Sequence, residues 1–120
     1  MRNFVQPGDV LTAIAPAGGV ESGMGYILGA FFVVAATTAA EDEEFEGQLT
    51  GVFDLPKADG DAWDYGDLIY WDPTPGEATT TSAAGSRLIG AASAPEGEGA
   101  DDAIGRVRLD GVARAVVAGP

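Results

Sequence analysis

The sequence predicts an all-β fold, a small β-barrel or β-sandwich-like domain of short antiparallel strands with an N-terminal arm. Two observations carry that expectation. Eighteen glycines and seven prolines are spread along 120 residues, too many and too evenly placed for long helices, because glycine costs backbone entropy and proline removes a helical donor. Between these breakers, apolar and polar residues alternate with the period of two that marks a strand with one wet face. A chain of 120 residues fits one domain that buries roughly 65% of its unfolded surface around a single core.

In chain order, residues 1–8 read as an arm, since Phe4 and Val5 stand alone as large apolar groups before the turn signal Pro7-Gly8. Residues 9–111 form the β domain. Within it, residues 9–15 suit a first strand bounded by Pro7-Gly8 and Pro16-Ala17-Gly18-Gly19, with residues 20–22 expected to pair back. Residues 26–36 are strand formers broken by glycine and are expected to be buried on both faces. Glu41-Asp42-Glu43-Glu44 is expected to be a solvated turn.

Glu44, Glu46 and Gln48 alternate with Phe45, Gly47 and Leu49, a pattern that continues through Val52-Phe53-Asp54-Leu55 to Pro56 and predicts one long strand. Residues 57–66 are polar, with Trp63 and Tyr65 as anchors, and strand character resumes over residues 67–71. Asp72-Pro73-Thr74-Pro75-Gly76 turns the chain into a hairpin partner at residues 77–82. Strands are expected again at residues 87–94 and 104–109, separated by an acidic loop at residues 95–102 and followed by an alanine- and valine-rich tail at residues 112–120.

Composition narrows function. Neither cysteine nor histidine is present, which removes disulfides, the usual zinc and haem ligands, and every Ser-His or Cys-His pair. Nineteen acidic residues against six basic ones give a formal charge of −13, so phosphates are repelled and no nucleic-acid partner is expected. The apolar run at residues 27–40 is 14 residues long, short of the roughly 20 that span a bilayer, so no membrane partner is expected either. Gln6-Pro7-Gly8-Asp9 interrupts any signal-like stretch.

The local motifs favour no chemistry. Asp59-Gly60-Asp61-Ala62-Trp63-Asp64 invites a calcium-loop reading, but the sixth and twelfth positions from Asp59 are Asp64 and Tyr70 rather than glycine and an acid. The carboxylates of residues 41–44 adjoin in a turn, whereas hydrolytic pairs must oppose one another across a cleft. Gly18-Gly19 and Gly23-Met24-Gly25 lack the lysine and hydroxyl of a phosphate loop, and Thr79-Thr80-Thr81-Ser82 has no base except the distant Lys57. Trp63, Tyr65, Tyr70 and Trp71 could stack on a sugar, but alternation puts Tyr70 and Trp71 on opposite faces, which favours core or subunit packing. No catalytic residue, metal or cofactor is expected.

Taken together, Asn3-Phe4-Val5-Gln6-Pro7-Gly8-Asp9, Leu49-Thr50-Gly51-Val52-Phe53-Asp54-Leu55-Pro56-Lys57, Gly66-Asp67-Leu68-Ile69-Tyr70-Trp71-Asp72, Arg87-Leu88-Ile89-Gly90 and Gly105-Arg106-Val107-Arg108-Leu109 resemble the capsid cement, or decoration, proteins of phages and prophages. That family was once filed as a domain of unknown function and sometimes labelled recombinase or ATP-binding transporter, labels the missing phosphate loop speaks against. The resemblance covers residues 1–111 and departs at the acidic residues 41–46 and after Gly111. It implies a structural, non-enzymatic protein made in the bacterial host cytoplasm and placed on the outer surface of the virion capsid. The implied partner is the major capsid protein, and the implied state is a homotrimer at three-fold and quasi-three-fold positions. Asn3, Phe4, Val5 and Gln6 become the candidate capsid-binding residues, because an apolar pair before Pro7-Gly8 has little local core to join. Two other readings are a head-fibre or adhesin module that binds host glycan or protein through Trp63 and Tyr65, and a metal enzyme using Asp59, Asp61 and Asp64.

Overall fold

A computed structural model describes residues 8–117. Among these residues the chain forms nine strands: β1 (Val10–Ile14), β2 (Gly25–Leu28), β3 (Phe31–Ala35), β4 (Glu44–Gln48), β5 (Thr50–Pro56), β6 (Leu68–Asp72), β7 (Glu77–Thr79), β8 (Arg87–Ala92) and β9 (Ile104–Asp110). They build a four-stranded sheet in the order β1-β4-β3-β2 and a five-stranded sheet in the order β5-β9-β8-β6-β7. Neighbouring strands within each sheet are antiparallel, which bears out the all-β expectation.

The apolar run over residues 26–36 folds as a hairpin. Gly29 takes φ +63, a left-handed conformation that glycine adopts without a Cβ clash, and the chain reverses so that Leu28 faces Phe31. From Phe32 to Ala35 every residue of β3 is buried. Phe32 and Val34 join a large cluster with Leu55, Trp63, Ile69, Trp71, Ile89, Val107 and Leu109. Val33 and Ala35 point the other way, into a second cluster with Ala15, Val20, Phe45 and Leu49. A strand covered on both faces reads as an unbroken apolar run, which is how the sequence reads here.

The alternation over residues 44–56 yields two strands where one is expected. Leu49 is buried in the second cluster, and its N–H donates to the Asp9 carbonyl at 2.9 Å. At that corner the chain leaves the four-stranded sheet, and Thr50 begins pairing with Asp110 in the other. A strand that switches sheets must bend; the inside-outside alternation lapses at the bend, where Gly51 and Val52 are both exposed, and resumes from Phe53 to Leu55. Residues 20–22 differ as well: Val20 bridges to Ala39, since β4 already occupies the inner edge of β1.

The five-stranded sheet curls until its edges meet. Lys57, just past β5, bridges to Ala78 of β7, and the Ala58 N–H donates to the Ala78 carbonyl at 2.9 Å, which covers backbone that would otherwise be an open edge. Inside the curl, Trp63 lies against Gly105, where an added Cβ would fall within the indole ring. The sheets are joined by Phe32 on Trp71, with ring centroids 5.0 Å apart and planes tilted by 50°. Arg87, buried in β8, donates from Nη1 to the Gly29 carbonyl, and the Arg114 N–H donates to the Ala30 carbonyl at 3.0 Å. The β2–β3 turn is therefore held by β8 of the opposite sheet and by the segment that follows β9.

Replacing Phe32 with alanine should lower unfolding free energy by about 3–5 kcal/mol, and Gly105→Ala by about 1–3 kcal/mol through overpacking against Trp63, both read from urea denaturation. A Phe32→Ala loss below about 0.5 kcal/mol would mean the sheets do not depend on this contact.

Candidate functional site

The loop between β5 and β6 holds most of the side chains to which a chemical role could be given. Asp61 Oδ2 accepts hydrogen bonds from Trp63 Nε1 at 2.9 Å, Thr79 Oγ1 at 3.1 Å and the Thr80 N–H at 2.8 Å. Its Oδ1 accepts from Thr80 Oγ1 at 2.7 Å. Lys57 is buried; its Nζ donates to the carbonyls of Ala58 and Asp61 and lies 6.0 Å from the Trp63 ring centroid. Burial pushes the Asp61 carboxyl up, but hydrogen bonds from Thr80, Trp63 and Thr79 outweigh it and hold the group below the ordinary carboxylate value. Asp61 is thus the organiser of the loop.

That arrangement answers the metal reading. The lone pairs of Asp61 are engaged by protein donors, and among the described residues no group of three or more acidic, histidine or cysteine side chains is placed to hold a metal ion. Asp67 Oδ2 accepts the Asp64 N–H at 2.8 Å, the local bond of a turn. Asp59, Asp61 and Asp64 are not gathered around a common centre.

The aromatic residues separate too. Trp63 is 1% exposed and Trp71 4%, both in the core, whereas Tyr65 is 68% exposed. Trp63 therefore presents no face to a ligand. In the acidic turn, Glu41 Oε1 accepts the Gly18 N–H at 3.1 Å and Glu43 Oε1 accepts the Ala40 N–H at 2.9 Å. These carboxylates fasten neighbouring backbone and do not oppose one another across a cleft. Asn3, Phe4, Val5 and Gln6, the candidate capsid-binding residues, lie outside the described residues. The described chain begins beside the sheet-switching corner, where Asp9 Oδ1 accepts from Thr50 Oγ1 at 3.3 Å.

One surface is not singled out by sequence reasoning, although the alternation of residues 104–109 encodes it. Ile104, Arg106 and Arg108 face outward from β9 while Gly105, Val107 and Leu109 face the core. Val52 of β5 lies opposite Arg108, which lies opposite Ala91 of β8, which lies opposite Leu68 of β6. Val52 and Leu68 are each 56% exposed. Nearby, Arg114 grips Asp110 through two hydrogen bonds, at 2.9 and 2.8 Å. Burial raises the Asp110 carboxyl, and the hydrogen bonds and charge of Arg114, with the Val112 N–H, bring it below its ordinary value.

Because folding lowers the Asp61 pKa, its stabilisation is complete above the unfolded carboxylate value, near pH 4, and is lost as pH falls through the folded value. Asp61→Ala should cost on the order of 3 kcal/mol at neutral pH by stranding the Trp63 and threonine donors. It should also flatten the fall of melting temperature below about pH 4. Equal acid sensitivity in the variant and the parent would remove Asp61 from this role.

The family model described as phage cement protein matches residues 5–109, from ahead of β1 into β9. No curated protein and no solved structure matches the chain. With the match running through both sheets and including the segments whose resemblance pointed the same way, the chain belongs to the phage cement protein family, structural proteins that decorate the phage capsid.

Proposed function

We propose that this protein clamps the outer surface of a phage head shell as a homotrimer seated at three-fold and quasi-three-fold positions, with the major capsid protein as its partner. The observation that carries the reading is the family match over residues 5–109, which takes in Val5 and Gln6. In this reading residues 1–8 are the arm, 9–111 the β domain and 112–120 a tail. Asn3, Phe4, Val5 and Gln6 add to a strand or ledge of the shell, where the apolar pair Phe4-Val5 is covered by the partner.

The mechanism is multivalent. Three linked subunits each touch the lattice, so release requires several weak contacts to open together, and the shell resists rupture by packaged DNA. The −13 charge keeps free subunits soluble and away from nucleic acid in the host cytoplasm, where the reading places synthesis. The alternative of a host-binding fibre or adhesin module has less support, because Trp63, one of its two aromatic contacts, is buried.

Purified protein mixed with undecorated cognate heads should co-sediment with them and raise the temperature at which the particles rupture. Failure to bind the cognate shell would contradict the proposal. Removing residues 2–6 should abolish binding while leaving circular dichroism and melting temperature unchanged. A truncated protein that decorated shells with parental affinity would reassign the arm to packing between subunits.

A further inference from the structure

We propose that the outer face of the five-stranded sheet, where Arg108 stands between Val52 and Leu68, docks against the acidic outer face of β1 and β4 on a second copy of this chain, with Arg108 meeting Glu44. This deepens the trimer reading given above and rests on it, since it assigns the contact by which one subunit holds the next.

Charge segregation points to the donor face. Of the cations among the described residues, Lys57 and Arg87 are buried and turned to carbonyl oxygens. The remaining three, Arg106, Arg108 and Arg114, lie on or directly after β9. Arg114 is paired with Asp110 and Arg106 with Asp54. Arg108 has no carboxylate within ion-pair distance among the described residues. It sits in the row Val52, Arg108, Ala91, Leu68, which crosses four strands, about 14 Å at ordinary strand spacing. Beside it a cleft of ≈ 240 Å³ is lined by Leu68, Leu88, Ala91, Arg108 and Arg114 among others. Arginine set among exposed aliphatic groups is the composition of an interface core rather than of a free surface.

The complementary face is on the same chain. Glu44 and Glu46 point outward from β4, and across the ladder Ile14 lies opposite Glu44 and Thr12 opposite Glu46. Ile14 is 55% exposed. One face thus offers an unpaired cation beside valine and leucine, and the other an exposed carboxylate beside isoleucine. Placed together, they bury the aliphatic groups and pair the charges. Contact of either face with itself would set arginine against arginine or glutamate against glutamate, so the pairing is head-to-tail, the kind that closes into a ring when the rotation allows. Elsewhere a strongly acidic surface would meet its own copies with repulsion.

The test uses the full chain in sedimentation velocity at low salt and at about 0.5 M salt. The parent should assemble, and less so at high salt. Arg108→Glu should weaken assembly by at least about tenfold, and Arg108→Glu combined with Glu44→Arg should recover most of that loss, with all variants melting near the parental temperature. Three results would overturn the contact: a monomeric parent, an Arg108→Glu variant that assembles as the parent does, or a loss the charge exchange does not repair. Shell co-sedimentation of the same proteins separates the two levels. A parent that binds shells as a monomer refutes this contact and leaves the cement reading intact, whereas a parent that assembles but ignores shells does the reverse.

Discussion

β3 has no face turned to water, and the rest of the molecule is arranged around that condition. Phe32 and Val34 must be covered on one side and Val33 and Ala35 on the other, so a single sheet with one wet face cannot accommodate this strand. The second sheet supplies the missing cover by presenting Trp71, Ile69 and Ile89 to Phe32 and Val34. Delivering that sheet requires the chain to turn at Leu49, and keeping it curled requires Trp63 to fill the space beside Gly105. Asp61 fixes Trp63 through the indole N–H and ties the same loop to Thr79 and Thr80. The core, the corner and the loop are consequences of one strand with two buried sides.

How much of this is legible in the sequence depends on whether the deciding partner is near or far along the chain. The acidic turn before β4, the hairpin at residues 68–79 and the alternation of β9 are set by neighbours within a few residues, and each is read correctly. The double burial of β3 follows from its unbroken apolar run. The division between β4 and β5 is different in kind. Period-two alternation specifies which side chains face inward, not which sheet receives them, so Leu49 carries no local mark of a corner. Asp61 is a second instance. Its partners Thr79 and Thr80 lie 18 and 19 residues away, and a loop spaced badly for calcium gives no hint that its carboxylate is an internal acceptor. The candidate capsid-binding residues rest on the resemblance and on the sequence reading of Phe4-Val5 as an apolar pair ahead of the Pro7-Gly8 turn signal.

Function in such a molecule lies on surfaces. The side chains most suggestive of chemistry, Asp61, Lys57 and Trp63, are occupied in holding one another, and the family to which the chain belongs is structural. Among the described residues, what distinguishes the exterior is its uneven charge: two arginines on β9 and a third, Arg114, shortly after it, on a chain of net charge −13. With its −13 charge, such a subunit is set against phosphates and against acidic faces of its own copies by like-charge repulsion. It can adhere where aliphatic groups and an unpaired cation coincide. Polarity of this sort provides a decorating protein with orientation as well as attachment.

The most direct measurement is an electron cryomicroscopy reconstruction of cognate phage heads saturated with this protein. The account predicts added density on the outer surface of the shell at the three-fold and quasi-three-fold positions, with the edge of each subunit near the β4–β5 corner turned toward the lattice so that the segment ahead of Asp9 reaches it. Density confined to the inner surface or to the tail vertex would contradict the account.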